Sequence, residues 1–469
     1  MRLTVDDLGK VTHLEFRNRD LLKGKKISGV STDTRTLKPG NLFIALRGEH
    51  FDGNKFIEGA FDKGAVSAVA GRDANLARLP NLPLLVVEDT TKALGELANL
   101  HRRKFSIPVL AIGGSNGKTT TKDMITSVLR TSYKVLATEG NNNNQIGVPL
   151  TLFRLDSKHR VAVVEIGTNH PGEIEYLCRI LEPTDGLITN IGHEHLEFFN
   201  TLDGVATEEG TLFRSLKKKK KLRAFVNAED RLVKAMSKEI ANRFTYGLGS
   251  KSADVVGRII DMDKTGCVRF EFRGKKMKRA ASAQLRIPGR HNAANALAAA
   301  AVGLAYRVPP ARIRKALESF RAASKRMEVL SMSGVTIYND TYNANPDSTI
   351  EALRTLAAAK VPGKKIAVLA DMRELGVLGP EEHARIGREV SKLNIDSLLT
   401  FGELARHIHE AANMPTAIHY EQQNVLAEYL SELLAPGDAV LVKGSRGMKM
   451  EDVVTFLAER MRYTEVSVG

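Results

Sequence analysis

Residues 113–120 read Gly-Gly-Ser-Asn-Gly-Lys-Thr-Thr and directly follow an apolar run at 109–112. A buried strand that enters a Gly-rich turn before a helix lets backbone N–H groups approach phosphate oxygens. Lys118 would reach the outer phosphates of a nucleotide, and the Thr119 hydroxyl would bind Mg²⁺. The pattern predicts a phosphate-binding loop followed by a helix over 121–130. Its residues are Gly114, Ser115, Asn116, Gly117, Lys118, Thr119 and Thr120.

This loop is shorter than the usual phosphate loop. The longer form has a glycine five residues before Gly117, where this chain has Ile112. The first glycine is instead Gly114, which gives the pattern Gly-x-x-Gly-Lys-Thr. The short form excludes some ATPase families and favours others.

The composition is that of a globular protein with a basic surface. The chain has 469 residues, 43% apolar and 26% charged, which is enough for about three domains. Two cysteines, no apolar run of about 18 residues and no apolar N-terminal segment predict a cytoplasmic protein without a membrane span. The net charge of +15 suits either a nucleic acid or small anionic substrates. We expect the basic run at 217–221 to be a solvated loop or helix end.

Strands and helices alternate along most of the chain, which predicts an α/β fold with three domains. We expect a small N-terminal α/β domain at 1–85, a central P-loop-type domain with a mostly parallel sheet at 86–323, and a doubly wound, Rossmann-like C-terminal domain at 324–469. Within the central domain, 252–287 reads as antiparallel strands, and an Ala-rich helix follows at 292–306.

A carboxylate and an imidazole lie at the ends of two predicted strands of the central domain. Glu165 ends the apolar run that starts at 161, and His195 follows the run at 186–190. The carboxyl ends of parallel strands form the crevice in which such sheets bind ligands, so both side chains are candidate Mg²⁺ ligands. Zinc is an alternative because His193 and His195, with Glu194 between them, resemble a metal-binding group, although this spacing lacks the His-Glu-x-x-His geometry and any cysteine ligand. Taken alone, each histidine could also be a hydrogen-bonded loop residue.

Two further segments could face a nucleotide. Asn292 would cap the Ala-rich helix, and Asn295 would lie three residues on, near the same face. These amides either cap and pack the helix or recognise a base edge. Arg326 lies at a predicted domain junction and is either a surface charge or a ligand contact. Asp340 ends a predicted strand before a polar, proline-containing loop, as expected of a ligand-facing segment.

Together these motifs resemble the Mur ligase family, the ATP-dependent amide-forming enzymes of peptidoglycan precursor synthesis. The resemblance covers essentially the whole chain and is closest to the member that adds a dipeptide. The segments that carry it are 32–35, 40–48, 141–150, 165–174, 288–295, 340–346, 370–376 and 443–447. The Asp-Thr-Tyr-Asn-Ala-Asn-Pro sequence at 340–346 and the lack of an Asp-Asn-Pro-Arg motif argue against the diaminopimelate- or lysine-adding member.

The resemblance implies a two-step ligation. The terminal carboxylate of UDP-N-acetylmuramoyl-tripeptide would attack the γ-phosphate of ATP, and the amine of D-Ala-D-Ala would then attack the acyl phosphate. Lys118 would stabilise the β- and γ-phosphates. Thr119 and Glu165 would hold one Mg²⁺, and His195 would hold a second. The other ATP contacts would be Asn292 and Asn295 on adenine, Arg326 on the phosphates and Asp340 on the ribose.

The same resemblance implies the substrate contacts. The UDP moiety would bind the N-terminal domain through Thr32, Asp33, Arg35, Ala45, Leu46, Arg47 and Gly48. The candidates on the dipeptide side are Asn343, Asn345, Lys443, Ser445 and Arg446. Further substrate contacts would come from Asn141, Asn169 and His170. Because the ATP contacts come from two domains, closure of the third domain is expected to complete the site.

One position departs from the family pattern. Where relatives often have a carbamylated lysine that helps to hold the second Mg²⁺, this chain has Glu209. The glutamate is shorter by about three bonds, or about 3–4 Å, which exceeds the tolerance of a Mg²⁺–oxygen distance of about 2.1 Å. We predict that Glu209 acts through a water or that its helix lies closer, and that activity does not depend on bicarbonate. The alternative is an ordinary exposed helix residue.

Two other functions stay open at this point. The net charge of +15 allows a nucleic-acid-associated ATP-binding protein. Other amide ligases share the expected fold, such as folylpolyglutamate synthetase or a cyanophycin-type enzyme, but the resemblance of 31–53 to a UDP-binding domain disfavours them. The few aromatic residues, 6% of the chain, disfavour single-strand nucleic-acid binding. We therefore expect no nucleic-acid partner, and we expect a monomer.

Overall fold

The computed structural model describes residues 3–49, 51–217, 222–461 and 463–464. Of the basic run at 217–221, all but Lys217 lies outside the described residues. The chain forms two compact units: Met1–Ile112, Tyr133–Thr168 and Gly172–Gly186 belong to the first, and Gly113–Ser132, Asn169–Pro171 and Leu187–Gly469 belong to the second. No helix in the described ranges has the length and apolar character needed to cross a bilayer.

The N-terminal part of the first unit is built on a five-stranded sheet in the order β1-β7-β6-β3-β2. The strands are β1 (Glu15–Arg17), β2 (Gly29–Ser31), β3 (Asn41–Ile44), β4 (Arg47–Gly48), β5 (Phe51–Asp52), β6 (Ser67–Gly71) and β7 (Leu84–Val87), and the helices are α1 (Val5–Leu8), α2 (Ile57–Asp62) and α3 (Thr90–Arg102). Only β1 is antiparallel to its neighbour in this sheet, while β4 and β5 form a separate hairpin. Strands β3, β6 and β7 are buried along their whole length, as their apolar sequences require of parallel strands covered on both faces.

The next part of the chain alternates strands with helices. Its strands are β8 (Val109–Gly113), β9 (Val135–Ala137), β10 (Val161–Glu165) and β11 (Asp185–Ile188), and its helices are α4 (Lys118–Arg130), α5 (Gly147–Phe153) and α6 (Glu173–Leu181). Within the first unit, β10 pairs in parallel with both β8 and β9. Glu165 is the last residue of β10, so the prediction of a carboxylate at a parallel strand end is confirmed.

The second unit continues with a sheet region that changes from parallel to antiparallel. Its elements are α7 (Leu196–Phe199), α8 (Leu202–Glu209), α9 (Thr211–Lys217), β12 (Arg223–Asn227), α10 (Arg231–Met236), β13 (Arg243–Leu248), β14 (Val255–Met262), β15 (Cys267–Gly274), β16 (Ala281–Pro288), α11 (Arg290–Ala305) and α12 (Pro310–Ser319). Strands β12, β13 and β14 are parallel, whereas β14, β15 and β16 are antiparallel. The predicted antiparallel region is therefore confirmed.

The predicted N-cap of the Ala-rich helix is wrong. Helix α11 begins at Arg290, and its N-cap is Gly289, whose φ of 99° lets the chain turn before the helix starts. Asn292 consequently lies inside the first turn. Its side-chain amide donates to the Pro288 carbonyl at 2.7 Å instead of accepting from the helix backbone.

The C-terminal part of the second unit is a seven-stranded sheet in the order β21-β20-β19-β22-β18-β17-β23. Its strands are β17 (Glu328–Met332), β18 (Val335–Asp340), β19 (Lys365–Ala370), β20 (Ser397–Phe401), β21 (Ala417–Tyr420), β22 (Ala439–Lys443) and β23 (Tyr463–Thr464), and its helices are α13 (Pro346–Ala358), α14 (Gly379–Val390), α15 (Arg406–Ala412), α16 (Gln423–Leu433) and α17 (Glu451–Arg460). Strands β18 to β22 are parallel, while β17 is antiparallel to both of its neighbours. The consecutive residues Leu441 and Val442 of β22 belong to two different apolar clusters. Apolar packing of successive residues in separate clusters is expected for a doubly wound sheet.

Short 3₁₀ helices complete the described elements at Arg19–Leu22, Gly53–Phe56, Leu76–Arg78, Gly376–Leu378 and Arg446–Met448. The α/β prediction is confirmed. The domain boundaries expected at 85/86 and 323/324 stay predictions.

Candidate active site

The predicted phosphate loop lies between β8 and α4, and it requires glycine at two positions. Gly114 has a φ of 109°, and a Cβ there would lie 2.4 Å from Thr189 Oγ1. Gly117 has a φ of 76° and is the N-cap of α4, where a Cβ would lie 2.8 Å from Asn295 Oδ1. Any larger residue would be both strained and crowded. Helix α4 then begins at Lys118, so its first N–H groups belong to the loop.

The segment after β11 holds the loop through paired hydrogen bonds. The Ser115 N–H donates to the Asn190 carbonyl at 2.9 Å, and the Asn116 N–H donates to Asn190 Oδ1 at 3.0 Å. In return, the Asn190 side-chain amide donates to the Asn116 carbonyl at 2.9 Å. The Gly192 N–H donates to Ser115 Oγ at 2.8 Å. The loop backbone is therefore fixed in one conformation before it meets a phosphate.

Lys118 is paired with a carboxylate that the sequence reasoning did not select. Its Nζ lies 3.3 Å from Glu194 Oε2 and donates to the Ser115 carbonyl at 3.3 Å. Only 7% of the Glu194 side chain is exposed. The signal for Glu194 was its place directly before His195, in the segment that follows a strand end.

Glu209 is buried completely, so the alternative of an exposed helix residue is wrong. Helix α8 ends at Glu209 and brings its Oε2 within 2.7 Å of the Gly114 N–H, which donates to it. Burial raises the pKa of Glu209 to about 7, although the nearby Lys118 ammonium acts in the opposite direction. The carboxylate therefore lies against the backbone of the phosphate loop itself.

Two carboxylate oxygens at this place have no hydrogen-bond partner in the described structure. They are Glu194 Oε1 and Glu209 Oε1, and both are buried. Across the described residues, no three His, Cys, Asp or Glu side chains form a group that could hold a metal ion by itself. Magnesium at nucleotide sites takes one or two carboxylates together with phosphate and water oxygens. The free carboxylate oxygens fit that kind of ligand.

The two histidines face different carboxylates. His195 Nδ1 lies 2.7 Å from Glu374 Oε2, and the imidazole lowers the pKa of Glu374. His193 Nδ1 lies 3.0 Å from Asp347 Oδ2, which also accepts the His193 N–H at 2.7 Å. The hydrogen bond to Asp347 raises the pKa of His193. Neither pairing has a local signal in the sequence, because both carboxylates lie more than about 150 residues further along the chain.

Three predicted asparagines lie around the same loop. The Asn295 amide donates to Asn292 Oδ1 at 3.0 Å, and the contact of Asn295 with Gly117 places this pair beside the start of α4. Asn345 is the N-cap of α13, and its amide donates to Asn116 Oδ1 at 2.9 Å. The structure therefore brings Asn345, a candidate for the dipeptide side, to the phosphate loop.

The predicted ribose and dipeptide residues form a network of their own. Asp340 Oδ1 accepts the Met327 N–H at 3.0 Å, and Asp340 Oδ2 accepts from Lys443 Nζ at 2.5 Å. Lys443 is buried and also donates to the Asn343 carbonyl at 2.9 Å. Ser445 Oγ accepts the Arg373 N–H at 2.8 Å. These groups bind one another and fix the shape of the loop at 340–346.

A tyrosine connects two predicted arginines. The Arg326 guanidinium lies 3.8 Å from the centre of the Tyr342 ring, and that of Arg446 lies 5.6 Å from it. Arg446 also lies 3.3 Å from Glu451. Cation–π contacts of this kind fix the direction in which an arginine points.

The predicted UDP residues belong to the first unit. Arg35 binds the Asp33 carboxylate through Nε at 3.0 Å and Nη2 at 2.7 Å. Arg47 contacts Asp73 and pairs in the β4–β5 hairpin with Asp52. The remaining members are Thr32, which follows β2, the residues Ala45 and Leu46, which follow β3, and Gly48, in β4.

The other predicted contacts are divided between the units. In the first unit, Glu165 is buried and accepts from the Asn143 amide at 2.9 Å, and Asn141 lies in the turn before α5. In the second unit, the centre of the His170 ring lies 4.3 Å from the centre of the Phe198 ring, and Asn169 directly precedes His170 in the chain.

Comparison of this sequence with models of known protein families identifies its family. Three family models match: "Mur ligase family, catalytic domain" at 26–102, "Mur ligase middle domain" at 112–303, and "Mur ligase, glutamate ligase domain" at 325–446. The chain belongs to the Mur ligase family, as its motifs predicted.

Within this family, the chain is similar to one kind of ligase over nearly its whole length. The UDP-N-acetylmuramoyl-tripeptide–D-alanyl-D-alanine ligase of Bacillus subtilis is 36% identical over 92% of this chain and 93% of its own. The crystal structure of MurF from Acinetobacter baumannii has a TM-score of 0.88 at 30% identity, covering 97% of this chain and 98% of its own. MurF ligase from Thermotoga maritima, solved in complex with ADP, has a TM-score of 0.81 at 27% identity, covering 92% and 97%.

Proposed function

We propose that this protein is an ATP-dependent ligase that joins D-Ala-D-Ala to the terminal carboxylate of UDP-N-acetylmuramoyl-tripeptide. The observation that carries the proposal is the short phosphate loop, with Lys118 held at 3.3 Å from a buried carboxylate, in a chain similar to such ligases over more than nine-tenths of its length. The reaction would contribute to peptidoglycan precursor synthesis, and so to cell wall growth, cell shape and cell division.

Charge stabilisation is the main task of the protein in this reaction. The tripeptide carboxylate attacks the γ-phosphate of ATP and forms an acyl phosphate, with ADP as the leaving group. The D-Ala-D-Ala amine then attacks the acyl carbon, which forms the amide and releases inorganic phosphate and a proton. Lys118 and the N–H groups at the start of α4 neutralise charge on the β- and γ-phosphates. Because the loop backbone is fixed by Asn190, these donors need little rearrangement when the nucleotide binds.

The buried carboxylates support a requirement for Mg²⁺. The proposed ligands of a first ion are Thr119 and Glu165, and those of a second are His195 and Glu209. When bound, the metal would neutralise phosphate charge and orient the reacting oxygens. Because Glu209 reaches the loop without modification, the rate should not rise when bicarbonate is added.

The other contacts follow the family resemblance. Asn292 and Asn295 would meet the adenine, Arg326 the phosphates and Asp340 the ribose. The UDP moiety would bind near Asp33 and Arg35, with further substrate contacts from Asn141, Asn169 and His170. The dipeptide would bind near Asn343, Asn345, Lys443, Ser445 and Arg446. We further propose a cytoplasmic monomer that acts without a nucleic-acid partner.

A coupled assay of ADP release from the full-length protein tests the activity. ATP, Mg²⁺ and UDP-N-acetylmuramoyl-tripeptide are supplied with D-Ala-D-Ala, L-glutamate or single-stranded DNA in separate reactions. We expect release only with D-Ala-D-Ala, together with a product that is larger by the dipeptide. No stimulation by D-Ala-D-Ala would refute the proposal. Stimulation by glutamate or DNA instead would favour the folylpolyglutamate-type or nucleic-acid-associated alternative.

A further inference from the structure

The segment that follows β19, residues 371–376, belongs to a stretch that resembles the family, yet it supplies none of the contacts proposed for the ligation. Its backbone adopts conformations that need support from neighbouring residues. Glu374 has a φ of 65°, which is uncommon for a residue with a side chain. Gly376 has a φ of 54°, and a Cβ there would lie 3.1 Å from the Cα of Glu197. Such conformations persist where surrounding contacts enforce them, and they are concentrated at functional sites.

One end of this segment is fixed to the dipeptide side of the proposed reaction. The Ser445 N–H donates to the Asp371 carbonyl at 3.0 Å, and the Arg373 N–H donates to Ser445 Oγ at 2.8 Å. Between these two bonds, the Met372 N–H donates to Nε2 of the buried His383 at 2.8 Å. The segment and the loop around Ser445 therefore form one hydrogen-bonded unit.

The other end of the segment lies against α7, the short helix that directly follows His195. The Glu374 carbonyl accepts the Glu197 N–H at 3.1 Å. Leu375 is buried in the apolar cluster that also contains Phe199 of α7. The segment therefore connects the end of β19 to the place where His195 lies.

Glu374 is placed to orient the His195 imidazole. Its Oε2 lies 2.7 Å from His195 Nδ1. The ring N–H does not point straight at this oxygen, and the buried Nδ1 has no other hydrogen-bond partner among the described residues. A carboxylate and an imidazole lone pair at this distance would repel each other, so Nδ1 carries the hydrogen. Nε2 then keeps its lone pair, 3.9 Å from Glu194 Oε2, which lies 3.3 Å from Lys118 Nζ.

We propose that Glu374 is a positioning residue that keeps the hydrogen of the His195 imidazole on Nδ1 and so leaves the Nε2 lone pair available beside the phosphate loop. This inference rests on the proposed function, in which His195 has a ligand role. Because the same segment bonds to Ser445, it also ties the imidazole to the dipeptide side. Loss of Glu374 should therefore slow the chemical step more than it weakens ATP binding.

Nitrogen NMR of the histidine rings tests this role without any substrate. The full-length protein is prepared with isotope-labelled histidine, and two-bond proton–nitrogen spectra are recorded at about pH 9, where an unperturbed imidazole is neutral. The His195→Gln variant identifies the His195 signals. We expect the Nδ1–H form in the wild type. In Glu374→Ala we expect a shift toward the Nε2–H form, which is the usual neutral form of histidine.

Two further variants separate orientation from packing. Glu374→Gln keeps an oxygen that can accept from Nδ1 and should retain the wild-type ring form. Glu197→Ala is the matched control, because Glu197 is exposed and contacts the segment through its backbone N–H. In the coupled ADP-release assay, Glu374→Ala should lower kcat by about 10–100-fold and change KM for ATP by less than about twofold. Glu374→Gln should recover part of the lost kcat.

An unchanged His195 ring form in Glu374→Ala, or the same change in Glu197→Ala, would overturn the proposal. The wild-type spectrum is a test by itself, since an Nε2–H form there would refute the orientation even if Glu374→Ala failed to fold. Unchanged signals from the other histidines show that the variant keeps its fold. Because the spectra require neither the tripeptide nor D-Ala-D-Ala, failure of the ligase assay would contradict the proposed function without changing the NMR result.

Discussion

Two charged regions of the second unit differ in how their carboxylates are paired. At the phosphate loop, Glu194 and Glu209 each keep one buried oxygen without a partner in the described structure. At the C-terminal loop, Asp340 uses both oxygens, on the Met327 N–H at 3.0 Å and on Lys443 Nζ at 2.5 Å. The first region retains capacity for a ligand, whereas the second is satisfied internally. Similar residue types thus keep an unpaired oxygen in one place and pair both oxygens within the protein in the other.

The pKa values of two glutamates shift in opposite directions. Burial raises the pKa of Glu209 to about 7. Burial would also raise the pKa of Glu451, but its own backbone N–H and the Lys325 ammonium outweigh burial and lower it. A raised pKa marks a carboxylate whose burial outweighs its favourable neighbours, and a lowered pKa marks one whose hydrogen bonds and positive neighbours outweigh burial.

The largest expected effect is on stability at the C-terminal loop. Lys443→Met would leave the Asp340 carboxylate, whose side chain is 15% exposed, without its ammonium partner. Breaking a fully buried ion pair from one side costs about 3–5 kcal/mol, and the partial exposure of Asp340 places the expected loss at about 3 kcal/mol. We expect a loss of this size in urea unfolding of the full-length protein, followed by the near-ultraviolet circular dichroism of its tyrosines.

The matched double variant shows whether this pair is structural. Adding Asp340→Asn to Lys443→Met removes the carboxylate charge that has lost its partner, and it should restore most of the lost stability. If the double variant is no more stable than Lys443→Met, then the two side chains do not act as a buried pair, and the contrast with the phosphate loop fails.

The second prediction concerns the phosphate loop, where function should suffer more than stability. Lys118→Met removes the ammonium proposed to stabilise the transferred phosphoryl group. We expect kcat/KM for ATP to fall by about 10²–10³-fold, as when one transition-state donor is lost. The coupled ADP-release assay measures this change.

Here a second substitution should not rescue the first. Glu194→Gln added to Lys118→Met removes the pairing charge but cannot replace a contact with phosphate. Lys251→Met is the control, because Lys251 is an exposed residue. A fall of less than tenfold for Lys118→Met, or recovery in the double variant, would contradict the functional assignment of this region.

The phosphate loop was predictable from the sequence because its determinants are local. The loop's determinants lie within six residues, from Gly114 through Gly117 and Lys118 to Thr119. The strand before them is uniformly apolar. Their conformation is set by φ values that only glycine adopts without strain. The same holds for β22, whose apolar run at 439–442 marks a buried strand.

Other features depend on residues far apart in the chain and carried no local signal. Glu194 meets Lys118 across 76 positions, and His193 meets Asp347 across 154. Strands β17 and β21 have no clear strand pattern in the sequence, because their side chains are mostly only half-buried and their sequences mix polar and apolar residues. The N-cap of α11 was misplaced because asparagine is a good cap in general, whereas the turn before this helix needs Gly289.

The third prediction uses the opposite pKa shifts of the two glutamates. Between the ordinary glutamate pKa of about 4.3 and the Glu209 pKa of about 7, the folded chain keeps a proton that the unfolded chain has released. Stability in EDTA should therefore fall as the pH rises through this window and level off above about pH 7. Glu209→Gln should remove this slope and raise the thermal midpoint at pH 8 by a few degrees, roughly 2–4 °C per kcal/mol.

Glu451 should behave in the opposite way. Because its pKa is lowered, its contribution is complete above the ordinary glutamate pKa and is lost as the pH falls below that value. Glu451→Gln should therefore lower the thermal midpoint at pH 8, where Glu209→Gln raises it. Shifts of the same sign in the two variants would show that the difference in partners does not control their charge.

The smallest effect is expected at Tyr342 in the C-terminal loop, whose ring contacts both Arg326 and Arg446. Each cation–π contact contributes about 0.5–1 kcal/mol at exposed sites, so Tyr342→Ala should raise KM about two- to fivefold for ATP and for D-Ala-D-Ala. Tyr342→Phe keeps the ring and should resemble the wild type in steady-state assays. If Tyr342→Phe instead matches Tyr342→Ala, the hydroxyl and not the ring orients the arginines. An effect on KM for only one substrate would mean that the ring serves only one of the two arginines.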